Sequence, residues 1–266
     1  MQVKDILKKL IGHNNIILKA RGNYAIRDSL KLLNPENIEK KILVQDQGGW
    51  LRYLDYPPKY GYIVEKIKTD DGVIKISELE ELSRQADAII YENPAGYFAS
   101  QPLKQIYETC RKNGCKVILD ITGSIGRIDN PGRYADVIIC SFGEGKAVNL
   151  GHGGLISIND EFSFSSVMQE DFDYSYANAL IEKLSELKER QKNLHEISKK
   201  IKNELKDFKV LKADYDGINV IVAFDSQDEK EKIIRYCDKN SFEYTLCPRY
   251  IRVMRDAVSI EVKRIS

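Results

Sequence analysis

Through its first 160 residues the chain alternates short apolar runs with stretches of helical periodicity. Lys41–Asp46, Ala86–Tyr91, Lys116–Leu119, Ala135–Cys140 and Leu155–Ile158 are runs of four to six residues bounded by Gly, Pro, Asn or charged residues. Such runs predict buried strands, whose side chains meet apolar neighbours on both faces of a sheet. A shorter run, Ile16-Ile17-Leu18, follows an amphipathic segment (Val3, Ile6, Leu7, Leu10, Ile11). Ile26, Leu30 and Leu33 fall on one helical face, with Asn23 as a candidate N-cap and Pro35 as the stop. Ser77-Glu78-Leu79-Glu80 has the form of a capping box and predicts a helix beginning near Ser77. Pro102 to Asn113 predicts another, ending before Gly114. Strands and helices in alternation predict a mainly parallel sheet with helices on both faces, an α/β fold in three α/β/α layers.

Beyond residue 160 the pattern changes. Residues 161–175 are polar and acidic with interspersed aromatics (Phe162, Phe164, Phe172, Tyr174) and predict a loop over a site or at an interface. Residues 177–206 read as a long, highly charged helix. The remainder predicts a small α+β domain: strand Ile218–Phe224, helix Gln227–Asn240, then strands Tyr244–Leu246, Tyr250–Met254 and Val258–Val262. The expected division is a large domain over 13–160, a loop and bridging helix over 161–206, and a small domain over 207–266. Tyr53–Tyr62, rich in Tyr and Pro, predicts an irregular aromatic loop, more suited to packing than to lining a pocket.

Composition narrows the function classes. The 266 residues are 42% hydrophobic and 30% charged, enough for a large core. A net charge of +1 offers no basic footprint for nucleic acid. No apolar run reaches bilayer length, and Met-Gln-Val-Lys-Asp does not begin a signal peptide, so a cytoplasmic protein without membrane contact is expected. The five cysteines (110, 115, 140, 237, 247) are scattered, as reduced buried thiols would be. Three dispersed histidines (13, 152, 195) give no metal site.

The candidate chemistry centres on Ser141-Phe142-Gly143-Glu144-Gly145-Lys146-Ala147-Val148-Asn149-Leu150-Gly151-His152-Gly153-Gly154. Here a lysine lies in a Gly-rich loop between two buried strands. Desolvation lowers the pKa of an amine and makes it nucleophilic. Upstream, Asp120 closes an apolar strand, where a carboxylate is costly unless a cation faces it. Gly22-Asn23 opens a helix whose free N–H groups and dipole suit an anion. Glu92-Asn93-Pro94-Ala95-Gly96 turns at the carboxyl end of a strand, where open α/β sheets bind ligands. Trp50, the only Trp, supplies a flat aromatic face or a core contact.

Together these stretches resemble the fold type I pyridoxal phosphate (PLP) enzymes, and most nearly the DegT/DnrJ/EryC1/StrS aminotransferases. The resemblance is strongest over 86–158. It implies pyridoxal 5′-phosphate as cofactor, with Lys146 as the Schiff-base lysine and Asp120 pairing with the pyridine nitrogen to keep the ring an electron sink. It further implies Gly22, Asn23, Tyr24 and Ser141 around the phosphate, Trp50 on the ring and Asn93 at the ring oxygen. Asp120-Ile121-Thr122-Gly123 departs from the family pattern at Gly123, where a His or Gln would touch that oxygen. In the small domain Arg252, with Arg249 and Arg255 as alternatives, is the candidate for a substrate carboxylate. The implied protein is an aminotransferase acting on an amino acid or amine, as a homodimer. A lyase or desulfurase-like enzyme, or a PLP-binding protein with little catalysis, remains as the alternative.

Overall fold

A computed structural model describes residues 2–160 and 169–265. The aromatics Phe162 and Phe164 of the expected loop lie outside the described residues. Helix α1 (Val3–Ile11) leads to strand β1 (Asn15–Lys19), helix α2 (Gly22–Leu33) and β2 (Lys40–Gln45). A short helix α3 (Arg52–Asp55) precedes β3 (Tyr62–Ile67) and a small ribbon, β4 (Thr69–Asp70) with β5 (Val73–Ile74). Then come α4 (Ile76–Leu82), β6 (Ala88–Glu92), α5 (Leu103–Lys112), β7 (Lys116–Asp120), β8 (Val137–Ser141) and β9 (Gly154–Ile158). The long helix α6 (Ala177–Glu204) precedes β10 (Lys209–Val210), β11 (Val220–Ala223), α7 (Gln227–Lys239), β12 (Tyr244–Cys247) and β13 (Ala257–Ile260).

Seven strands form one sheet in the order β1-β9-β8-β7-β6-β2-β3. β3, β2, β6, β7 and β8 run parallel, while β9 is antiparallel to both β8 and β1. Strand side chains alternate between two cores, as the pleat requires. Leu43, Ile89, Val117, Leu119 and Ile138 join the core formed with α1, α4, α5 and α6. Ile42, Val44, Ala88, Ile90, Ile118, Val137 and Ile139 join the core against α2, through Ala25, Ile26 and Leu30. The result is the expected three-layer α/β/α arrangement. The second sheet is small and antiparallel, β10-β11-β13-β12, and its packing residues include Ile233 and Cys237 of α7.

Several local expectations are corrected. α4 begins at Ile76 after Lys75, with no side-chain cap bond, so Ser77 does not cap it. Arg21, not Asn23, is the N-cap residue of α2. Tyr53–Tyr62 contains α3 and a 3-10 turn, Pro57–Tyr60. Tyr53 itself is fully buried. Tyr250–Met254 is not a strand: Arg249 N donates to Val253 O (2.8 Å) and Arg252 N to Arg249 O (2.9 Å), closing a turn between β12 and β13. No helix among the described residues is long and apolar enough to cross a membrane. No group of three or more His, Cys, Asp or Glu among them is placed to hold a metal ion.

Candidate active site

The carboxyl ends of β7 and β8, the start of α2 and Tyr97 of the loop after β6 converge on one cavity of about 200 Å³. Its walls include Gly22, Asn23, Trp50, Asp120, Ser141 and Lys146. Six candidates from five separate places in the chain are therefore brought together at the edge where parallel sheets hold ligands.

One end presents the first turn of α2. The first turn of α2 leaves N–H groups without intrahelical acceptors, and Gly22 and Asn23 of that turn line the cavity. The helix is fixed from behind by buried Lys19, whose Nζ lies 2.9 Å from Asp28 of α2. A Cβ on Gly22 would stand 2.6 Å from Ser141 Cβ, so only glycine lets the helix start come this close to the end of β8. His152 also lines this cavity, and its Nε2 is a buried polar atom without a partner among the described residues. Its ring stacks on Tyr176 at 4.4 Å.

The other end holds the titratable groups. Lys146 Nζ donates to Tyr97 Oη at 2.9 Å and lies 5.2 Å from the centre of the Trp50 ring. Burial lowers the Lys146 pKa, opposed by the charge of Glu92. The lysine loop is braced: Asn149 Oδ1 accepts from Gly145 N (2.7 Å), and Arg190 of α6 donates to Ala147 O (3.0 Å) and Ile265 O (2.9 Å). Asp120 accepts from Tyr53 Oη (2.6 Å), Thr122 Oγ1 (2.5 Å) and Thr122 N (2.8 Å). Burial raises its pKa and these three donors pull it back. Trp50 Nε1 donates to Asn23 Oδ1 at 3.0 Å, which fixes the indole and occupies the Asn23 carbonyl.

Three expected residues lie elsewhere. Tyr24 is 37% exposed under Arg27, because Asn23 and Ile26 take the cavity-facing side of α2 and one residue on a helix turns about 100° away. Asn93 is buried outside the cavity. Its Oδ1 accepts from Gln101 N (2.8 Å) and its Nδ2 donates to Ser124 Oγ (3.0 Å), so it braces the turn after β6. Arg252, expected mid-strand, sits in the β12–β13 turn with its fork taken by Glu261 (Nε 3.0 Å, Nη2 2.7 Å).

Arg252 nevertheless borders a second cavity of about 160 Å³, which shares Trp50, Tyr97 and Lys146 with the first and adds Arg249, Lys263 and Arg264. Lys263 shares Glu261 with Arg252 (2.5 Å), and Arg264 pairs with Glu243 (2.6 Å). Among the described residues Arg249 has no side-chain partner, so its charge is available. Arg255 pairs with Asp71 and borders neither cavity.

Tyr97 is the residue that sequence reasoning passed over. It lies in the irregular loop after the Asn-Pro-x-Gly turn, and its ring faces Lys146, Arg252 and Lys263 at 4.9, 5.1 and 5.0 Å. It is held at φ 68° while its carbonyl accepts from Ile218 N (2.7 Å) and Asn219 N (2.9 Å). A buried aromatic in the left-handed region is strained and persists where its surroundings impose it. It also accounts for Gly123. A Cβ there would meet Pro94 Cδ at 2.8 Å and Tyr97 Cδ1 at 2.9 Å, so Tyr97 and Pro94 fill the space a His or Gln would need.

Comparison with known proteins agrees with this architecture. Residues 63–169 match the DegT/DnrJ/EryC1/StrS aminotransferase family, and residues 188–266 match the MJ1341 family C-terminal domain. No curated protein matches the sequence. Among solved structures, an alanine–glyoxylate aminotransferase from Nostoc sp. is 16% identical (97% of this chain, 79% of that one, TM-score 0.73). A serine palmitoyltransferase from S. paucimobilis with a bound PLP–myriocin aldimine is 14% identical (97% and 70%, TM-score 0.73). A cysteine desulfurase from Thermococcus onnurineus is 13% identical (97% and 76%, TM-score 0.70). These likenesses show the fold: it is fold type I of the PLP enzymes.

Proposed function

We propose that this chain is a PLP-dependent enzyme that acts on the amino group of a small molecule through Lys146, as an aminotransferase. The observation that carries the reading is one cavity holding a desolvated lysine amine, a buried carboxyl at a strand end and a glycine-built anion cradle. The cofactor fits the residues present. The close approach of Gly22 to Ser141 and the unpartnered His152 Nε2 suit its phosphate, Trp50 offers a face to its ring, and Asp120 offers an anion to its ring nitrogen. When bound, the group would supply an aldehyde and an electron sink.

The remaining chemistry belongs to the chain. Lys146 would hold the cofactor through its amine and would serve as a proton acceptor once a substrate amine takes its place. Trp50 and Tyr97 pack around that amine, and burial lowers its pKa. Asp120, held by Tyr53 and Thr122, would be the residue to pair with a cationic ring nitrogen. Arg249 takes precedence over Arg252 for a substrate carboxylate, because Glu261 already neutralises Arg252. Arg249→Ala should raise KM for a carboxylate-bearing substrate at least about tenfold with a smaller change in kcat.

A desulfurase reading finds no support among the described residues. All five cysteines are buried, and burial raises the Cys247 thiol, which disfavours the thiolate such chemistry needs. The DegT match over 63–169 favours transamination. The reading includes a homodimer, tested by sedimentation velocity. The deciding experiment is an absorbance spectrum with added PLP, followed by borohydride trapping. A visible band that shifts with one amino acid, and a trapped adduct lost in Lys146→Ala, is the expected result. An adduct that persists at wild-type level in Lys146→Ala refutes the assignment.

A further inference from the structure

A further cavity, of about 180 Å³, lies away from the lysine site, between α6 and the segment 213–217 that follows β10. Its walls include His195, Ser198, Lys199, Lys202, Asp214 and Asp216. The mechanism above uses none of these residues. Ser198 is 2% exposed, yet its hydroxyl has no hydrogen-bond partner among the described residues. A helical serine can place its hydroxyl on a carbonyl of the preceding turn, as Ser185 of the same helix does with Glu182 O at 2.7 Å. Ser198 does not, so a buried donor is left unspent at the cavity wall, which is costly unless a ligand or water meets it. His195 beside it is 6% exposed, and its Nδ1 donates to Gln191 O at 2.7 Å. Burial lowers the His195 pKa, with Arg127, Asp216 and Lys199 also acting on the ring. Lys202 Nζ donates to Tyr215 O at 2.5 Å, and an ammonium then has two donors left. Asp216 pairs with Arg127 at 3.2 Å. The two lysines therefore face one further carboxylate, Asp214, and leave one positive charge in excess.

The wall opposite α6 continues into the lysine site. A Cβ on Gly217 would stand 2.4 Å from Phe98 C and O, so this segment lies directly on the backbone of the loop after β6. The next two residues hold that loop: Ile218 N and Asn219 N donate to Tyr97 O at 2.7 and 2.9 Å. Tyr97 Oη in turn accepts from Lys146 Nζ at 2.9 Å. We propose that the cavity is a binding site for a small monocarboxylate, and that its occupancy is felt at Lys146 through Tyr97. One carboxylate oxygen would accept from Ser198 Oγ and the other from Lys202 Nζ. An excess of one positive charge matches a monoanion, whereas a phosphate brings about −1.5 to −2. Simple keto acids carry the required group. The consequence for catalysis rests on the reading of Lys146 given above.

The test uses the cofactor-free Arg249→Ala protein, so that a carboxylate drawn to Arg249 is not mistaken for one at Ser198. Acetate is the probe. In 1H–15N spectra the amides of Ser198 and of residues 213–217 should shift saturably, with a Kd below about 10 mM. Ser198→Ala should unfold no earlier in urea, because the hydroxyl it loses is unpartnered, and should bind acetate at least about tenfold more weakly. Lys202→Met should weaken binding to a similar extent. Trp50, the only Trp, lies 5.2 Å from Lys146 Nζ, and its fluorescence should change along the same binding curve. Shifts that do not saturate mean that water alone fills the cavity and overturn the site, as does unchanged affinity in Ser198→Ala or Lys202→Met. Inorganic phosphate bound as tightly as acetate overturns the carboxylate class. Fluorescence that stays constant, or that responds equally in Ser198→Ala, overturns the link to Lys146. A protein that binds acetate in this way but forms no adduct with PLP keeps this site and loses the proposed function.

Discussion

Glu261→Gln is the perturbation whose cost the structure makes most explicit. Glu261 is 1% exposed and accepts from Arg252 (3.0 and 2.7 Å), Lys263 (2.5 Å), Asn219 (3.1 Å), Thr245 (2.9 Å) and Ser259 (3.0 Å). Arg252 and Lys263 are each 3% exposed, so neither can turn to water when its counter-charge is removed. Glutamine has the same shape but brings a donor to a place filled by donors. Breaking a buried pair in this way costs about 3–5 kcal/mol. With a urea slope near ~3 kcal/mol/M, the unfolding midpoint should fall by about 1–2 M. The pH dependence has a definite sign. The two cations, working against burial, hold the Glu261 carboxyl far below the usual range. Its stabilisation is therefore fully present above the unfolded value of about 4.3 and is lost as pH falls towards the folded one. Urea titrations of both proteins between pH 3 and 7 should show the gap narrowing towards the acid end. A loss below about 1 kcal/mol at pH 7, or a gap that does not narrow with acid, would refute the account of Glu261 as a neutralising hub.

Three further outcomes follow from other parts of the molecule. Gly22→Ala should weaken PLP affinity at least about tenfold, measured by fluorescence titration, since its Cβ would stand 2.6 Å from Ser141 Cβ and push the helix start away. Gly123→Ala should destabilise the fold by about 1–3 kcal/mol in urea, because its methyl meets Pro94 and Tyr97 inside van der Waals contact. Glu92→Gln should flatten the stability profile between pH 5 and 8. The folded carboxyl titrates near 8 and so holds a proton that the unfolded chain has released, and wild-type stability falls as pH rises through that window. Parallel thermal melts across it, equal in slope for the two proteins, would contradict this.

Much of the fold is legible in the sequence because the central strands carry both cores at once. Ile89-Ile90 or Val117-Ile118-Leu119 has no polar face and fits nothing but a strand covered on both sides. β3 escapes that reading. As the edge strand it mixes Glu65 and Lys66 with apolar residues, and charge on an edge protects the sheet from pairing further. The failed strand at Tyr250–Met254 has the opposite cause. Its alternation mimics a strand, but Gly48 N donates to Tyr250 O (2.7 Å) and Arg252 turns inward to Glu261, so long-range bonds override the local pattern. The site divides in the same way. Lys146, Asp120, Gly22 and Ser141 sit at strand ends or in glycine loops, where position alone suggests chemistry. Tyr97 and Glu92 carry no such mark. A tyrosine in a loop and a glutamate beside Asn-Pro are ordinary in sequence, and only the fold sets Glu92 against Asp120 and Tyr97 against Lys146. Local pattern thus points to the segments that meet at the cavity, whereas the partners of each buried polar group depend on neighbours that are distant in the chain.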